Sequence, residues 1–191
     1  MTGERNYHNY SDSELMTQIS CANTMAFNEL YGRYSKRMLY YFYRMLGNYE
    51  PTAQDFLQDL FYKIIDKPHL YNATQKFSTW IYCIAHNMCK NEYRRRTVRQ
   101  NVRLSSENMN YILENNEQET DLSETVNLIY RELDNLGESH KTAFILRYRE
   151  GFQINEISEV LNLPEGTVKS RLFYARQCLA DKLKKNVELM Y

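Results

Sequence analysis

The stretch LPEGTVKSRLFYAR, residues 163–176, decides the fold of the C-terminal part of this chain. Pro164 and the residues before it form a turn signal, and a helix is predicted to begin at Glu165 or Gly166. Four apolar residues recur in this helix at spacings of four, three and four: Val168, Leu172, Ala175 and Leu179. Residues at such spacings share one helix face, so this face is predicted to pack inward.

The opposite face of the same helix mixes basic, polar and aromatic side chains. Its members are Thr167, Lys169, Ser170, Arg171, Phe173, Tyr174 and Arg176. A short helix carrying Ile157 and Leu161 precedes the turn, which makes a helix-turn-helix. The second helix of such a motif enters the DNA major groove, where Lys and Ser read base edges, Phe contacts a thymine methyl and Arg meets phosphates. The alternative is a solvated helix of a small bundle, which adjacent Phe and Tyr residues on that face argue against.

The composition favours helices throughout the chain. The 191 residues are 43% hydrophobic, which suffices for a packed core, and only 3 Pro and 6 Gly argue against hairpins and sandwiches. The four cysteines form no CxxC pair, so they are predicted to be reduced thiols, and neither a metal site nor a cofactor is expected. The polar first residues and the lack of a long apolar run predict no signal peptide, no membrane insertion and a cytoplasmic protein.

Positive and negative charges balance in total but are separated along the sequence. Lys+Arg and Asp+Glu number 24 each. Residues 90–103 hold six basic residues against one acid, whereas residues 105–124 hold six acids and no base. The acidic segment is rich in Asn and Ser and poor in apolar residues, which is typical of a flexible linker. The sequence therefore predicts an all-α chain of two small helical domains, residues 11–97 and 123–186, joined by a flexible acidic linker over residues 98–122.

Apolar periodicity and capping residues predict four helices in the N-terminal domain. They are expected to begin after Ser11, at Asn23 or Thr24, at Pro51, and at Ser78 or Thr79. Ser11 and Glu14 form a capping box, and the fourth helix is expected to end at Arg96 after a loop over residues 69–77. In the C-terminal domain a helix near Ser123 and a second helix ended by Gly151 are expected before the helix-turn-helix.

The segment DFLQDLF, residues 55–61, places polar residues at helical spacing. Asp55, Gln58 and Asp59 lie at i, i+3 and i+4, on a face opposite the apolar residues. No His, metal ligand or nucleophile completes a catalytic site with these carboxylates, so an enzyme is not expected. Two readings stay open from the pattern alone: a solvated face, or an acidic docking surface for a basic partner.

The segment FSTWIYCIAHNMCKNEYRRR, residues 77–96, is aromatic at its start and basic at its end. Aromatic residues stack on single-stranded bases, and a basic helix end contacts duplex phosphates, so the combination suits nucleic acid at the edge of a melted region. The alternative is a core tryptophan at Trp80 followed by a solvated basic helix end that the helix dipole stabilises.

Four segments in this order resemble the extracytoplasmic-function sigma factors, which are small two-domain members of the sigma-70 family of bacterial RNA polymerase specificity subunits. The segments are SDSELMTQIS, DFLQDLFYKI, FSTWIYCIAHNMCKNEYRRR and GFQINEISEVLNLPEGTVKSRLFYARQCL. The resemblance covers about residues 15–96 and 133–183. It implies a protein that binds core RNA polymerase, recognises the −10 and −35 promoter elements and helps to open the DNA.

The resemblance also implies residue roles. The residues that match the segment docking on the beta-prime clamp helices are Asp55, Gln58, Asp59 and Phe61. The residues that match the −10 segment, which includes the loop capturing a flipped base, are His69, Leu70, Tyr71, Asn72, Thr74, Gln75, Lys76, Phe77, Asn87, Lys90, Arg94 and Arg95. The residues that match the −35 reading helix are Thr167, Lys169, Ser170, Arg171, Phe173, Tyr174 and Arg176. The beta flap, promoter DNA and an anti-sigma factor are the further implied partners, with a monomer expected when the protein is unbound.

Two departures from the family pattern affect these expectations. Gln153 stands where Ser or Thr usually caps the helix, which predicts fraying that costs about 1 kcal/mol. Tyr174 is often Arg in relatives, so the base preference at that position does not carry over. Two rival functions remain: a stand-alone helix-turn-helix regulator that binds duplex DNA without polymerase, and a protein–protein adaptor.

Overall fold

The computed structural model describes residues 6–104 and 124–188, and the chain divides into an N-terminal and a C-terminal unit. Every regular element within the described ranges is helical, which confirms the predicted all-α fold. No helix in these ranges is long and apolar enough to cross a membrane. All four cysteines are unbridged.

Within residues 6–104, the N-terminal unit contains four α-helices after a 3₁₀ turn at Tyr7–Asn9. They are α1 (Asp12–Ser20), α2 (Thr24–Met45), α3 (Glu50–Asp66) and α4 (Phe77–Leu104). The predicted capping box of α1 is confirmed, with the Ser11 N–H donating to the Glu14 carboxylate at 2.7 Å and the Glu14 N–H donating to Ser11 Oγ at 3.3 Å. The Asn23 side chain caps α2 by accepting two backbone N–H groups at 3.0 and 3.1 Å.

The core of this unit forms where α2 packs against α1 and α3, with α4 contacting both α2 and α3. Its fully buried members include Leu15, Leu30, Met38, Phe42, Leu60 and Ile64. The apolar face of α4 differs from the predicted set of Trp80, Ile81, Ile84, Ala85 and Met88. Its buried residues are Ile81, Tyr82, Ala85 and Cys89, whereas Trp80, Ile84 and Met88 are half-buried.

Helix α4 continues beyond Arg96, where the sequence predicted its end. The Tyr93 hydroxyl donates to the carbonyl of Met45, and Arg96 Nη1 donates to the carbonyl of Leu46 at 3.2 Å. These bonds satisfy carbonyls at the end of α2 and hold α4 against it. Residues 98–104 are therefore helical, so the predicted boundary between residues 97 and 98 falls inside a helix. Residues 105–122 of the predicted acidic linker lie outside the described residues.

The C-terminal unit also contains four helices. They are α5 (Glu124–Asn135), α6 (Glu138–Phe144), α7 (Ile154–Leu161) and α8 (Glu165–Glu188). The second predicted helix begins as α6 and continues directly into a π-helical turn at Ile145–Arg149. Gly151 has a φ of +78°, which permits the turn toward α7, and Asn162 ends α7 in the left-handed region at φ +51°.

Helix α8 seats its apolar face against the rest of this unit, with contacts to α5, α6 and α7. The predicted inward face is confirmed, since all four of its members are buried: Val168, Leu172, Ala175 and Leu179. At the start of α7, where fraying is expected, the Gln153 N–H donates to the Glu156 carboxylate at 2.7 Å. This bond satisfies the N-cap N–H as the Glu of a capping box does.

Candidate functional site

The first exposed surface lies on α3, on the side away from the core. The side chains of Asp55, Gln58 and Asp59 are all exposed there, on one helix face as their spacing predicted. Within the described ranges neither carboxylate forms an ion pair or hydrogen bond. Unpaired carboxylates on a solvent-facing helix attract a positively charged surface, so this acidic face can bind a basic partner.

Phe61 does not belong to this exposed face. Its side chain is only 3% exposed, and its ring packs 4.7 Å from Tyr31 and 6.0 Å from Phe27, centroid to centroid. Phe61 is therefore placed to support α3 from the core side rather than to contact a partner directly. Tyr62 points outward instead and is 68% exposed.

Tyr62 extends the acidic face, and the sequence analysis missed it. It lies three residues after Asp59 and four after Gln58, so it shares their helix face. The helical spacing alone identifies it, because Tyr62 follows Gln58 by four residues. An exposed aromatic beside acids is a common anchor of protein–protein interfaces.

The second surface is the loop between α3 and α4. It begins with a 3₁₀ turn at Pro68–Leu70 and closes with a turn in which the Gln75 N–H donates to the Asn72 carbonyl at 2.9 Å. The Asn72 side chain accepts from the Thr74 N–H at 3.0 Å. The exposed members of the predicted site are His69, Leu70, Asn72, Thr74, Gln75 and Lys76. These residues can reach an extruded base.

Tyr71 and Phe77 form the floor of this loop. The Tyr71 ring lies 5.5 Å from Phe77 and 5.2 Å from Trp80, and Phe77 lies 5.0 Å from Tyr34. Phe77, which the resemblance placed in the −10 segment, is buried beneath the loop. The Tyr34 hydroxyl bonds Asp12 of α1, and burial together with this hydrogen bond raises the pKa of Tyr34.

The basic part of α4 begins at Lys90, 13 residues after Phe77 and therefore about 20 Å along the helix from this loop. The predicted DNA-contact residues Asn87, Lys90, Arg94 and Arg95 are all exposed. Arg95 lies 3.4 Å from the Glu92 carboxylate, whereas the neighbouring Arg96 is engaged with Glu92 and α2. Because α4 is longer than predicted, the exposed Arg99 adds a cationic side chain beyond the predicted segment. Cationic side chains along one helix suit contacts with duplex phosphates.

The third surface is the outward face of α8. Lys169, Ser170, Phe173, Tyr174 and Arg176 are exposed, with Phe173 at 66%, whereas Thr167 and Arg171 are half-buried. These are the predicted −35 residues, so the structure presents five of the seven fully to solvent. Such a mixed apolar and cationic face can read base edges and meet phosphates in a major groove.

Local contacts orient individual side chains on α8. Lys169 Nζ lies 3.7 Å from a Glu165 carboxylate oxygen, and Ser170 Oγ donates to the Thr167 carbonyl at 2.9 Å. The Tyr174 ring lies 5.0 Å from His140 of α6, and its hydrogen bond with the Cys178 thiol raises the pKa of the Tyr174 phenol. Tyr174 is thus held toward α6, at the edge of the reading face.

Two family models match the chain, one on each unit. The model described as Sigma-70 region 2 matches residues 30–99, and the model described as Sigma-70, region 4 matches residues 127–179. The first range contains the acidic face, the loop and most of α4. The second contains the helix-turn-helix.

Curated proteins resemble the chain over nearly its whole length. The ECF RNA polymerase sigma-E factor of Haemophilus influenzae is 28% identical, with 91% of this chain and 95% of that protein covered. The ECF RNA polymerase sigma factor SigW of Bacillus subtilis is also 28% identical, with 87% and 94% covered. The sigma-E factor of Escherichia coli is 28% identical, with 91% and 94% covered.

Two solved structures share the fold. CnrH in complex with the cytosolic domain of CnrY superposes with a TM-score of 0.65 and 22% identity, covering 91% of this chain and 97% of that one. The sigma factor RpoE in complex with the anti-sigma factor NepR from Bartonella quintana superposes with a TM-score of 0.67 and 20% identity, covering 83% and 96%.

Proposed function

Because the chain belongs to the sigma-70 family, as an extracytoplasmic-function sigma factor, we propose that its three exposed surfaces divide the work of promoter recognition. The protein is a transcription initiation factor that binds core RNA polymerase and recognises promoter DNA. One observation carries the division of work: the two matched regions lie in separate helical units, and each presents side chains chemically suited to a different part of the task.

The acidic face of α3 is the proposed polymerase-docking surface. Asp55 and Asp59 bring unpaired negative charge, Gln58 offers an amide, and Tyr62 adds an aromatic anchor at the end of the row. A basic helical surface fits this combination, and in the family that surface is the beta-prime clamp helices. Phe61 supports this face from within the core by packing on Tyr31.

The loop and the basic end of α4 are the proposed −10 surface. The exposed loop residues from Asn72 to Lys76 are suited to a base extruded from the duplex, because they offer amide, hydroxyl and ammonium groups beside an aromatic floor. Asn87, Lys90, Arg94 and Arg95 are suited to the junction where duplex becomes single strand, which is how the protein would assist promoter opening.

Helix α8 is the proposed −35 reader. Lys169 and Ser170 are candidates for base edges, Phe173 for a thymine methyl, and Arg176 for phosphate. We also assign the beta flap as the polymerase element that receives the C-terminal unit. This assignment follows the family pattern. Two tethered modules that bind one promoter also gain affinity, because binding of the first module raises the effective concentration of the second.

Further partners and properties follow from the same proposal. An anti-sigma factor is expected to cover surfaces of the N-terminal or C-terminal unit, since the similar RpoE structure is a complex with the anti-sigma factor NepR, and the similar CnrH structure is a complex with the cytosolic domain of CnrY. The protein is proposed to act in the cytoplasm, where bacterial RNA polymerase works, as a monomer when unbound. It catalyses no reaction of its own in this scheme.

The test is binding to purified bacterial core RNA polymerase, with and without promoter-like DNA. The wild-type chain is expected to bind core, and to bind DNA tightly only in that complex. The double variant Asp55→Arg/Asp59→Arg is expected to lose core binding by about a hundredfold or more, since it presents like charge to a basic partner. Its fold is expected to persist, because both side chains are exposed.

A charge-matched control separates docking from general electrostatics. Asp181→Arg reverses one exposed carboxylate on α8, and is compared with the single variant Asp55→Arg. The control is expected to bind core within about twofold of wild type. Normal core binding by a folded double variant would rule out the α3 docking surface. If the chain binds duplex DNA tightly but does not bind core polymerase, the stand-alone helix-turn-helix regulator is favoured instead.

A further inference from the structure

The loop before α4 is fastened by the hydroxyl of one tyrosine. Tyr71 Oη lies 2.8 Å from Ser13 Oγ of α1 and 2.8 Å from the backbone oxygen of Gln75. Ser13 and Tyr71 are 58 residues apart in sequence, so this is a tertiary link between α1 and the loop. The hydroxyl thus connects the first helix, the start of the loop and the end of the loop at one point.

The directions of these two bonds follow from the number of hydrogens. The Tyr71 hydroxyl carries a single hydrogen, and the Gln75 carbonyl can only accept, so Tyr71 donates to Gln75. Ser13 must then donate to the Tyr71 oxygen. The result is a short relay of two hydrogen bonds. Ser13 donates to the Tyr71 oxygen, and Tyr71 donates to the Gln75 carbonyl.

Other contacts explain why this point controls the loop. The Tyr71 N–H donates to the Pro68 carbonyl at 3.2 Å, and the Trp80 N–H donates to the Lys76 carbonyl at 3.2 Å where α4 begins. The Tyr71 ring rests on Phe77 and Trp80. Between these fixed ends, the Asn72 turn and the Tyr71–Gln75 bond hold the exposed residues of the loop.

We propose that Ser13 and the Tyr71 hydroxyl are positioning residues that set the shape of the base-capturing loop, so that α1 contributes to −10 selectivity without touching DNA. The inference rests on the proposed function of the loop. Tyr71 itself is half-buried with its hydroxyl engaged, which leaves Asn72, Thr74 and Lys76 as the groups that can face a base. A preformed loop discriminates better, because less conformational entropy is lost on binding.

The first experiment measures base selection by holoenzyme assembled from core RNA polymerase and the full chain. The probe is fork-junction DNA whose single-stranded segment is randomised, and the readout is the enrichment of each base at each position. Wild-type holoenzyme is expected to enrich one base at one position. Tyr71→Phe keeps the ring and removes only the hydroxyl, and is expected to reduce that enrichment roughly three- to tenfold, the effect of one hydrogen bond.

Matched variants separate positioning from general stability. Ser13→Ala is expected to reproduce part of the Tyr71→Phe effect, and Ser13→Thr, which keeps a hydroxyl, is expected to restore selectivity. Tyr49→Phe removes the hydroxyl of an exposed tyrosine remote from this relay and is expected to change nothing. Core binding and the melting temperature are measured on every variant and are expected to stay at wild-type values.

A second readout uses the single tryptophan of the sequence. Trp80 lies 5.2 Å from the Tyr71 ring, so its fluorescence reports on the loop in the unbound protein. Acrylamide quenching of Trp80 is expected to rise in Tyr71→Phe and Ser13→Ala and to return to the wild-type value in Ser13→Thr. If quenching of Trp80 increases but base selectivity does not fall, a looser loop does not change the choice of base. That result would overturn the proposal.

The remaining outcomes are distinct from one another. Full base selectivity in both Tyr71→Phe and Ser13→Ala would overturn the positioning role. So would a loss of selectivity that appears only alongside a lower melting temperature. If wild-type holoenzyme enriches no base in the single-stranded segment, the assignment of the loop as a base-capturing site fails, and the relay loses its function with it.

Discussion

The loop before α4, proposed for the −10 element, and helix α8, proposed for the −35 element, expose similar polar and cationic side chains, but the protein supports them in different ways. The loop is held by a relay of hydroxyl groups from Ser13 and Tyr71 and by an aromatic floor that includes Phe77. The reading helix α8 is held by a seam of aliphatic side chains that includes Leu172. An irregular segment needs side-chain hydrogen bonds to fix its backbone, whereas a helix satisfies its own backbone and needs only a buried face.

The largest effect is expected from the aromatic floor. Phe77→Ala removes a buried ring that contacts Tyr34, Tyr71 and Trp80, and we expect it to destabilise the N-terminal unit by about 3–5 kcal/mol. Leu70→Ala, at an exposed position of the same loop, is the control and is expected to change stability by less than about 0.5 kcal/mol. Urea unfolding followed by Trp80 fluorescence measures both, and similar losses in the two variants would contradict the proposed floor.

The next largest effect distinguishes a residue that stabilises α8 from a residue proposed to contact DNA. Leu172→Ala shortens a buried side chain of the seam and is expected to cost about 2–4 kcal/mol in the C-terminal unit. Phe173→Ala changes the adjacent exposed residue and is expected to leave stability within about 0.5 kcal/mol while weakening duplex binding by the holoenzyme. Amide hydrogen exchange on α8 distinguishes them. Equal loss of protection in both would mean that Phe173 belongs to the core.

The seam of α8 and the acidic face of α3 were both predictable from the sequence, because each depends on helical spacing. Val168 and Leu172 are four apart, as are Asp55 and Asp59, and the structure places each pair on a common face. A helix repeats its faces every 3.6 residues whatever it packs against, so local periodicity is sufficient evidence.

Features that depend on long-range contacts could not be predicted in this way. The contact of α4 with α2 includes hydrogen bonds from Tyr93 and Arg96 to carbonyls at the end of α2, some 50 residues earlier. The burial of Phe61 and Phe77 depends on aromatic partners in α2, which spacing within α3 or α4 does not reveal. The link from Ser13 to Tyr71 joins α1 to the loop and has no local signature.

A smaller effect distinguishes base reading from phosphate contact on α8. Lys169→Ala is expected to cost the holoenzyme about 1–3 kcal/mol on its preferred −35 sequence and to relax the choice of base at one position. Arg176→Ala is expected to weaken all duplexes alike and to lower the slope of log affinity against log salt by about 1. Binding to a panel of duplexes over a salt series measures both. A uniform loss for Lys169→Ala would make it a phosphate contact.

The smallest effect concerns acid, and it acts on the helix that carries Ser13. Arg33 joins Asp12 of α1, at 2.8 Å, to Glu29 of α2, also at 2.8 Å. The hydrogen bond from Arg33 holds the pKa of Glu29 below its ordinary value of 4.5, and the bond from the Ser11 N–H does the same for the pKa of Glu14 in the α1 capping box. A lowered folded-state pKa means that these carboxylates stabilise the fold fully above pH 4.5, and that this contribution is lost as the pH falls below that value.

The ionisation of these carboxylates therefore affects how firmly α1 is held, and α1 is the helix that supports the loop. The stability of the N-terminal unit is expected to fall as the pH drops below 4.5, and Glu29→Gln is expected to be less stable than wild type at neutral pH but to lose less on acidification. Glu14 is exposed and the Glu29 side chain is 23% exposed, so solvent screens both charges and the difference is expected to be modest. Urea unfolding at neutral pH and at about pH 3.5 measures it. Parallel pH profiles for Glu29→Gln and wild type would show that the Glu29 charge does not stabilise the N-terminal unit, and α1 would then be held by its other contacts, which include the ion pair of Arg33 with Asp12.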